Sequence, residues 1–220
     1  MSGFNSGISG RGHRMDSSDD HIARARALLA RGGRRILGLA GPPGSGKSTL
    51  AERLARELGE QTVMVPMDGF HLANEELARL GRGGRKGAPD TFDAAGYISL
   101  LRRLRAAAPG ETVYAPRFNR DIEEAIAGAI AVPPDVLLVI TEGNYLLLDG
   151  PWAAVRGLLD EAWYLKPDEV RRQRWLLERH MRFGRTREAA LAWIAATDEP
   201  NARLIASSRS RADLVVGMGG

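Results

Sequence analysis

Gly41-Pro42-Pro43-Gly44-Ser45-Gly46-Lys47-Ser48-Thr49 has the spacing G-x-x-x-x-G-K-[ST], the pattern of a phosphate-binding loop. The spacing can arise by chance, so the flanks decide its meaning. Arg34 to Ala40 is a short apolar run that suits a buried parallel strand. Leu50, Leu54 and Leu58 follow at i, i+4 and i+8 on one helical face, with Gly59 placed as a C-terminal cap. Strand, glycine loop and helix therefore stand in the required order. Glycines let the backbone curl so that successive N–H groups point at phosphate oxygens, and the helix adds its positive end. In this pattern Lys47 reaches the β- and γ-phosphates and the Ser48 hydroxyl binds Mg²⁺. Only Lys47, Lys86 and Lys166 are lysines among 31 basic residues.

The composition narrows the class. A chain of 220 residues suits one α/β domain, and 44% hydrophobic with 26% charged residues is ordinary for a globular protein. There is no cysteine, which excludes disulfides and thiolate metal sites. No apolar run approaches about 18 residues, so no membrane span is expected. Residues 1–18 are rich in Gly, Ser and Arg, lack the apolar stretch of a secretory signal and read as a flexible leader before a single domain over 19–220. A cytoplasmic location is the expectation. A net charge of +4 suits anionic ligands without forming the dense basic stripe of a nucleic-acid binder, so no nucleic-acid partner is expected.

The rest of the chain alternates apolar runs with helical periods. Asp19 or Asp20 opens a helix closed by Gly32-Gly33, and Thr62 to Met67 reads as a second strand. Asp68-Gly69-Phe70-His71 follows that strand and should lie beside the phosphate loop, because ligands gather at the carboxyl ends of parallel strands. Asp68 there can accept a proton from a substrate hydroxyl, or cap a helix over Leu72 to Leu80, and the two roles are compatible. His71 reads equally as a substrate contact or a surface residue. Gly81 to Asp90 is a glycine-rich basic loop, and Asp93 caps a helix with Ile98, Leu100, Leu101 and Leu104 as its apolar positions. Glu111 to Pro116 suggests a short strand, Arg117 to Asp121 a polar cluster suited to an oxygen-rich ligand or a surface loop, and Ile122 to Ile130 a weak helix. Asp135 to Gly143 is an apolar run ending in Glu142, placed to order Mg²⁺, with Asn144 and Tyr145 continuing into the cleft. Tyr145 could equally be core. Trp152 to Leu159 reads as a short helix, Glu161 to Leu165 as a strand, and Pro167-Asp168 as the start of a long helix rich in arginine. That helix carries Arg179 and Arg182 and suits a lid over transferring phosphate. Ala189 to Ala196 continues as helix, and Ala212 to Val216 reads as a last strand.

Several of these motifs line up with one family. The chain resembles the P-loop nucleoside-kinase-like family that includes uridine kinase, bacterial pantothenate kinase and the fructose-transport-associated kinases. The shared features are Gly41–Thr49, Asp68-Gly69-Phe70-His71, Arg85-Lys86-Gly87 with Pro89, Tyr114-Ala115-Pro116, Glu142-Gly143-Asn144-Tyr145 and the arginines from Arg179 to Arg187. His71 departs from the residue usual in uridine kinase. The resemblance implies a three-layer P-loop NTPase fold, ATP and Mg²⁺ as cofactors, Asp68 as catalytic base and Glu142 serving the metal. It also implies that Arg85, Lys86, Tyr114, Arg117 and Asn119 face the acceptor, that Arg179 and Arg182 supply lid charge, and that Arg209 lies near the adenine.

The reading is an α/β domain with a parallel sheet flanked by helices and a helical lid. Its expected activity is transfer of the γ-phosphoryl group of ATP to a hydroxyl of a nucleoside, sugar or pantothenate-like small molecule. A nucleotide monophosphate kinase and a transporter-associated regulatory ATPase are the alternatives, with RNA binding through the basic loop a third. The sequence leaves the acceptor unnamed and a homodimer open.

Overall fold

Residues 18–218 are described in the computed structural model, so the expected leader lies outside the described residues except for Ser18. One sheet of five parallel strands organises them. β1 (Arg35–Ala40) is its middle strand, between β5 (Leu138–Gly143) and β6 (Glu161–Pro167), with β2 (Thr62–Met64) and β7 (Leu214–Met218) at the edges. The chain passes from β1 to β2 on one side and later to β6 on the other. The order therefore reverses beside β1, where open α/β sheets place their ligands. The register pairs Leu39 with Glu142 and Ala40 with Gly143, which brings the carboxyl end of β5 level with the start of the glycine loop.

The strands are mostly apolar because both faces of the sheet are covered. Along β1, Ile36 and Ala40 enter one apolar cluster while Leu37 and Leu39 enter the other. β6 repeats this with Ala162 and Tyr164 on the first side and Trp163 and Leu165 on the second. The second face is closed by α1 (Ser18–Leu29) and α2 (Lys47–Leu58), through Ala25, Leu28, Leu50, Ala51 and Leu54. The first face is closed chiefly by α4 (Ala94–Arg105), whose Tyr97, Ile98, Leu101 and Leu104 are buried. Asp93 caps α4 by accepting from Gly96 N at 2.8 Å, as its sequence predicts. Gly59 closes α2 with its N–H on Ala55 O at 3.0 Å.

A second, two-stranded sheet corrects one expectation. Ile122 to Ile130, read as weakly helical, is strand: β3 (Val113–Asn119) and β4 (Glu124–Val132) form an antiparallel hairpin. An alanine-rich stretch has little strand preference of its own, and pairing with β3 overrides it. Val113, Ala115, Ile130 and Val132 enter the core on the hairpin's inner side. The second strand is also shorter than expected. Val65 N still donates to Ile140 O at 2.9 Å, then Pro66 leads into a 3₁₀ turn over Met67–Phe70. The following helix, expected from Leu72, is α3 (Asn74–Arg79), and Ala73 is its cap, so Asp68 does not cap it.

Trp152 ends a 3₁₀ turn before α5 (Ala153–Arg156). Pro167 ends β6 instead of opening a helix, and Asp168 caps α6 (Glu169–Arg182) by accepting from Arg171 N at 2.9 Å. The chain turns back through α7 (Arg187–Trp193), a π-helical turn over Ile194–Asp198, and α8 (Glu199–Ser207), which carries Pro200 in its first turn. The helix expected to run on from Ala189 is interrupted by that π-turn. Among the described residues, no helix is long and apolar enough to cross a membrane.

Candidate active site

The glycine loop joins the end of β1 to α2 at the middle of the sheet edge. Gly44 has φ +78°, and a Cβ there would stand 2.8 Å from Leu176 Cγ of α6, so the loop can pass under α6 only without a side chain. Arg172 of α6 is 1% exposed and bonds Glu169 at 2.8 Å, Glu199 at 2.5 Å and, more loosely, Pro43 O at 3.4 Å. It thereby ties α6 to the loop and to α8. Lys47 opens α2 and is buried, its ammonium donating to the carbonyls of Gly41 at 2.9 Å and Pro42 at 3.0 Å. Burial lowers its pKa to about 8 against the opposing attraction of Glu142 and Asp68.

One residue on, the Ser48 hydroxyl donates to Glu142 Oε1 at 3.0 Å. Glu142 is buried at the end of β5, and its pKa is raised by that burial and by repulsion from Asp68, while Lys47 and Ser48 pull it back. Among the described residues, no group of three or more His, Cys, Asp and Glu could cage a metal. The donor set here is one hydroxyl and one carboxylate, both hard oxygens. That fits Mg²⁺, which takes few protein ligands and completes its shell with water and phosphate oxygens.

Asp68 lies in the 3₁₀ turn after β2, on the same edge. The turn packs tightly on β3, because the carbonyl of Pro116 occupies the space that a Cβ on Gly69 would fill. Asp68 Oδ2 accepts from Arg120 Nη2 at 2.9 Å, and His71 Nδ1 lies 2.8 Å from the Asp68 carbonyl. The His71 ring is 4.6 Å from that of Phe118 and 4.0 Å from that of Phe92, and burial lowers its pKa. Arg120 stands 5.4 Å from the Phe118 ring centre and 5.9 Å from that of Phe183, at the end of the lid helix. Arg179 reaches the same cleft. Its pKa is held down by desolvation and then by Arg120, and raised by Asp68, Asp198 and Glu142. Lys47, Glu142, Asp68, Arg120 and Arg179 thus form one electrostatic cluster at the point where the strand order reverses.

The family model described as Phosphoribulokinase / Uridine kinase family matches residues 36–220. The chain belongs to that family. A Schizosaccharomyces pombe protein named "Putative uridine kinase C227.14" is 35% identical over 214 residues, spanning 92% of this chain and 91% of its own length. The pantothenate kinase of Mesorhizobium japonicum is 32% identical over 163 residues, 69% of this chain and 50% of its own. The crystal structure titled "putative fructose transport system kinase" from Silicibacter sp. TM1040 is 39% identical, covers 88% of this chain and 97% of its own, and superposes with a TM-score of 0.80. The phosphoribulokinase/uridine kinase family therefore accounts for the glycine loop, the parallel sheet and the helices around it.

Within this family member, the cluster gathers Gly41 to Ser48, Glu142, Asp68, His71 and Arg179. Thr49 follows in α2 with its side chain exposed. Lys86 lies at the rim, 5.2 Å from the Phe118 ring centre, and donates to Asn74 Oδ1 at 2.6 Å and Glu123 O at 2.5 Å. Asn144 is half-buried just past β5. Arg209 lies in a 3₁₀ turn after α8 and acts on the Tyr164 hydroxyl across from the loop.

Several residues expected at the acceptor do not join this cluster. Tyr145 is core: its ring packs on Phe92 and Trp152, and its hydroxyl donates to Gly87 O. Tyr114 is 58% exposed on the side of β3 opposite Val113 and Ala115. Arg117 is also exposed and donates to Ala129 O at 3.2 Å, while Asn119 Oδ1 accepts from Asp121 N at 2.9 Å and so shapes the hairpin turn. Arg85 pairs with Asp90. Arg182, expected to supply lid charge, is exposed at the end of α6. Arg120, by contrast, was not singled out. Residues on a strand alternate faces. Read as strand, the stretch puts Phe118 and Arg120 on one face and Arg117 and Asn119 on the other, which is the signal that would have found it.

Proposed function

We propose that the protein transfers the γ-phosphoryl group of ATP to the hydroxyl of a small molecule, with Asp68 as the base. The observation that supports this most is the position of Asp68, a carboxylate in the same electrostatic cluster as Lys47 and Glu142 but on a different strand end. A carboxylate placed there can take the proton of a bound hydroxyl as the phosphate is transferred. The names of its relatives, uridine and pantothenate kinase, support a phosphotransferase acting on small molecules.

The loop amides and Lys47 hold the transferring phosphate in line with the acceptor. Ser48 and Glu142 would hold Mg²⁺, which when bound would neutralise charge on the phosphate oxygens. Asp68 takes the hydroxyl proton as the acceptor oxygen bonds to phosphorus and the bond to ADP breaks. Arg179 closes from the lid onto the charge that builds between them. Lys47 has little cost of reorganisation, because the carbonyls of Gly41 and Pro42 already hold it.

Asp68→Asn tests the assignment. Turnover should fall by about 100-fold or more, while ATP affinity changes little, because the base acts on the acceptor and not on the nucleotide. An unchanged turnover would remove Asp68 from the mechanism.

A further inference from the structure

We propose that the acceptor alcohol carries a carboxylate or phosphate group, and that Arg120 reads this anion and is drawn off Asp68 as it binds. The inference rests on the kinase reading above.

Arg120 poses a problem for that reading. Its guanidinium holds Asp68 Oδ2 at 2.9 Å, on the carboxylate that must accept the hydroxyl proton. A carboxylate oxygen that already accepts from a guanidinium is not free to take the hydroxyl proton. Something must take Arg120 away during the reaction, and an anion on the acceptor is the natural competitor.

The charges around the cleft favour this. Arg120 and Arg179 repel one another across it, and both look to the single carboxylate of Asp68. Glu142 is engaged by Ser48, and Asp198 by His180 at 2.7 Å. Lys86 has Glu124 and Glu123 nearby. Asp121 is exposed at the hairpin turn. Among the described residues, Asp68 is the one carboxylate within 4.0 Å of Arg120, and none lies that close to Arg179. The transferring phosphate has a use for Arg179, which also repels Lys47, but that leaves Arg120 in surplus.

Its surroundings suit a planar anion. The guanidinium lies between the rings of Phe118 on the hairpin and Phe183 on the lid helix. Aromatic faces strip water from a guanidinium without hydrogen-bonding it, so its donors stay available for a bidentate contact with carboxylate or phosphate. An anion there would also join the hairpin to the lid. An uncharged acceptor would leave Arg120 on Asp68, so discrimination comes from both binding and catalysis.

The test uses the full chain, ATP consumption and three matched pairs: glycerate against glycerol, pantothenate against panthenol, and ribose 5-phosphate against ribose. The expected result is that at least one anionic member is turned over about tenfold or more faster at low concentration than its uncharged partner. Which pair responds distinguishes carboxylate from phosphate. Arg120→Gln should raise KM for that anionic acceptor about tenfold or more, and should raise KM for its uncharged partner by far less. Arg120→Lys should recover part of the affinity. Uncharged acceptors turned over as well as anionic ones, or an unchanged KM in Arg120→Gln, would overturn the inference and leave the kinase standing. If none of the six compounds accelerates ATP consumption and Asp68→Asn leaves the basal consumption unchanged, the kinase reading itself fails and this inference with it.

Discussion

Lys47 shows how one residue carries the state of the site. Its ammonium sits among loop carbonyls, and burial brings its pKa from 10.5 to about 8. Between those values the unfolded chain holds a proton that the folded chain has shed, so this residue's contribution to stability rises with pH across that window. Phosphate groups placed against Lys47 reverse the effect by favouring its charged form. Nucleotide binding at about pH 9 should therefore take up most of one proton, and at about pH 7 almost none. Calorimetry in buffers of different ionisation enthalpy measures this directly, and Lys47→Met should abolish the uptake. Equal uptake in the variant would mean that Lys47 does not meet the phosphates. Lys47, Ser48 and Glu142 were legible from sequence because a motif or a strand end marks each of them. Arg120 was not, since nothing local separates it from Arg117.

At the scale of elements, α6 is held by one arginine among many. Arg172 is buried against Glu169, Glu199 and the loop carbonyl of Pro43, whereas Arg174 pairs with Glu178 in the open at 2.8 Å. Arg172→Ala should cost about 2 kcal/mol, below the 3–5 typical of a fully buried pair because Glu169 keeps access to water. It should also weaken nucleotide binding by freeing the loop from α6. Arg174→Ala should cost no more than about 0.5 kcal/mol. Denaturant unfolding of the two variants checks both, and equal losses would show that α6 is not anchored through Arg172. The sequence marked α6 by its cap and its charges, but one arginine looks like another until packing selects it. The hairpin was harder still. Glu124 to Val132 has the composition of a weak helix, and only the partner strand makes it extended.

At the scale of the molecule, the two apolar layers hold the strand ends in register, so ligand binding at that edge is felt by the whole fold. ATP with Mg²⁺ at about 100 times its Kd should stabilise the protein by about 2.7 kcal/mol, read as a raised melting temperature. ATP with a chelator should give much less. In Glu142→Gln the difference between the two should shrink, because the carboxylate facing Ser48 is lost. A Mg²⁺ effect that survives intact in that variant would remove Glu142 from the metal site.

The sequence by itself determined the parallel sheet, the glycine loop and the acids at the ends of β2 and β5. These are local: apolar runs, glycine spacing and caps lie within a dozen residues of one another, and short-range physics suffices to read them. The acceptor side was decided only by tertiary structure. It depends on which face of β3 meets Asp68, on which arginine of α6 enters the loop, and on the burial of Tyr145 among Phe92 and Trp152. Most of those choices arise from contacts between segments far apart in the chain, where a side chain's fate is set by what packs against it and not by its neighbours in sequence.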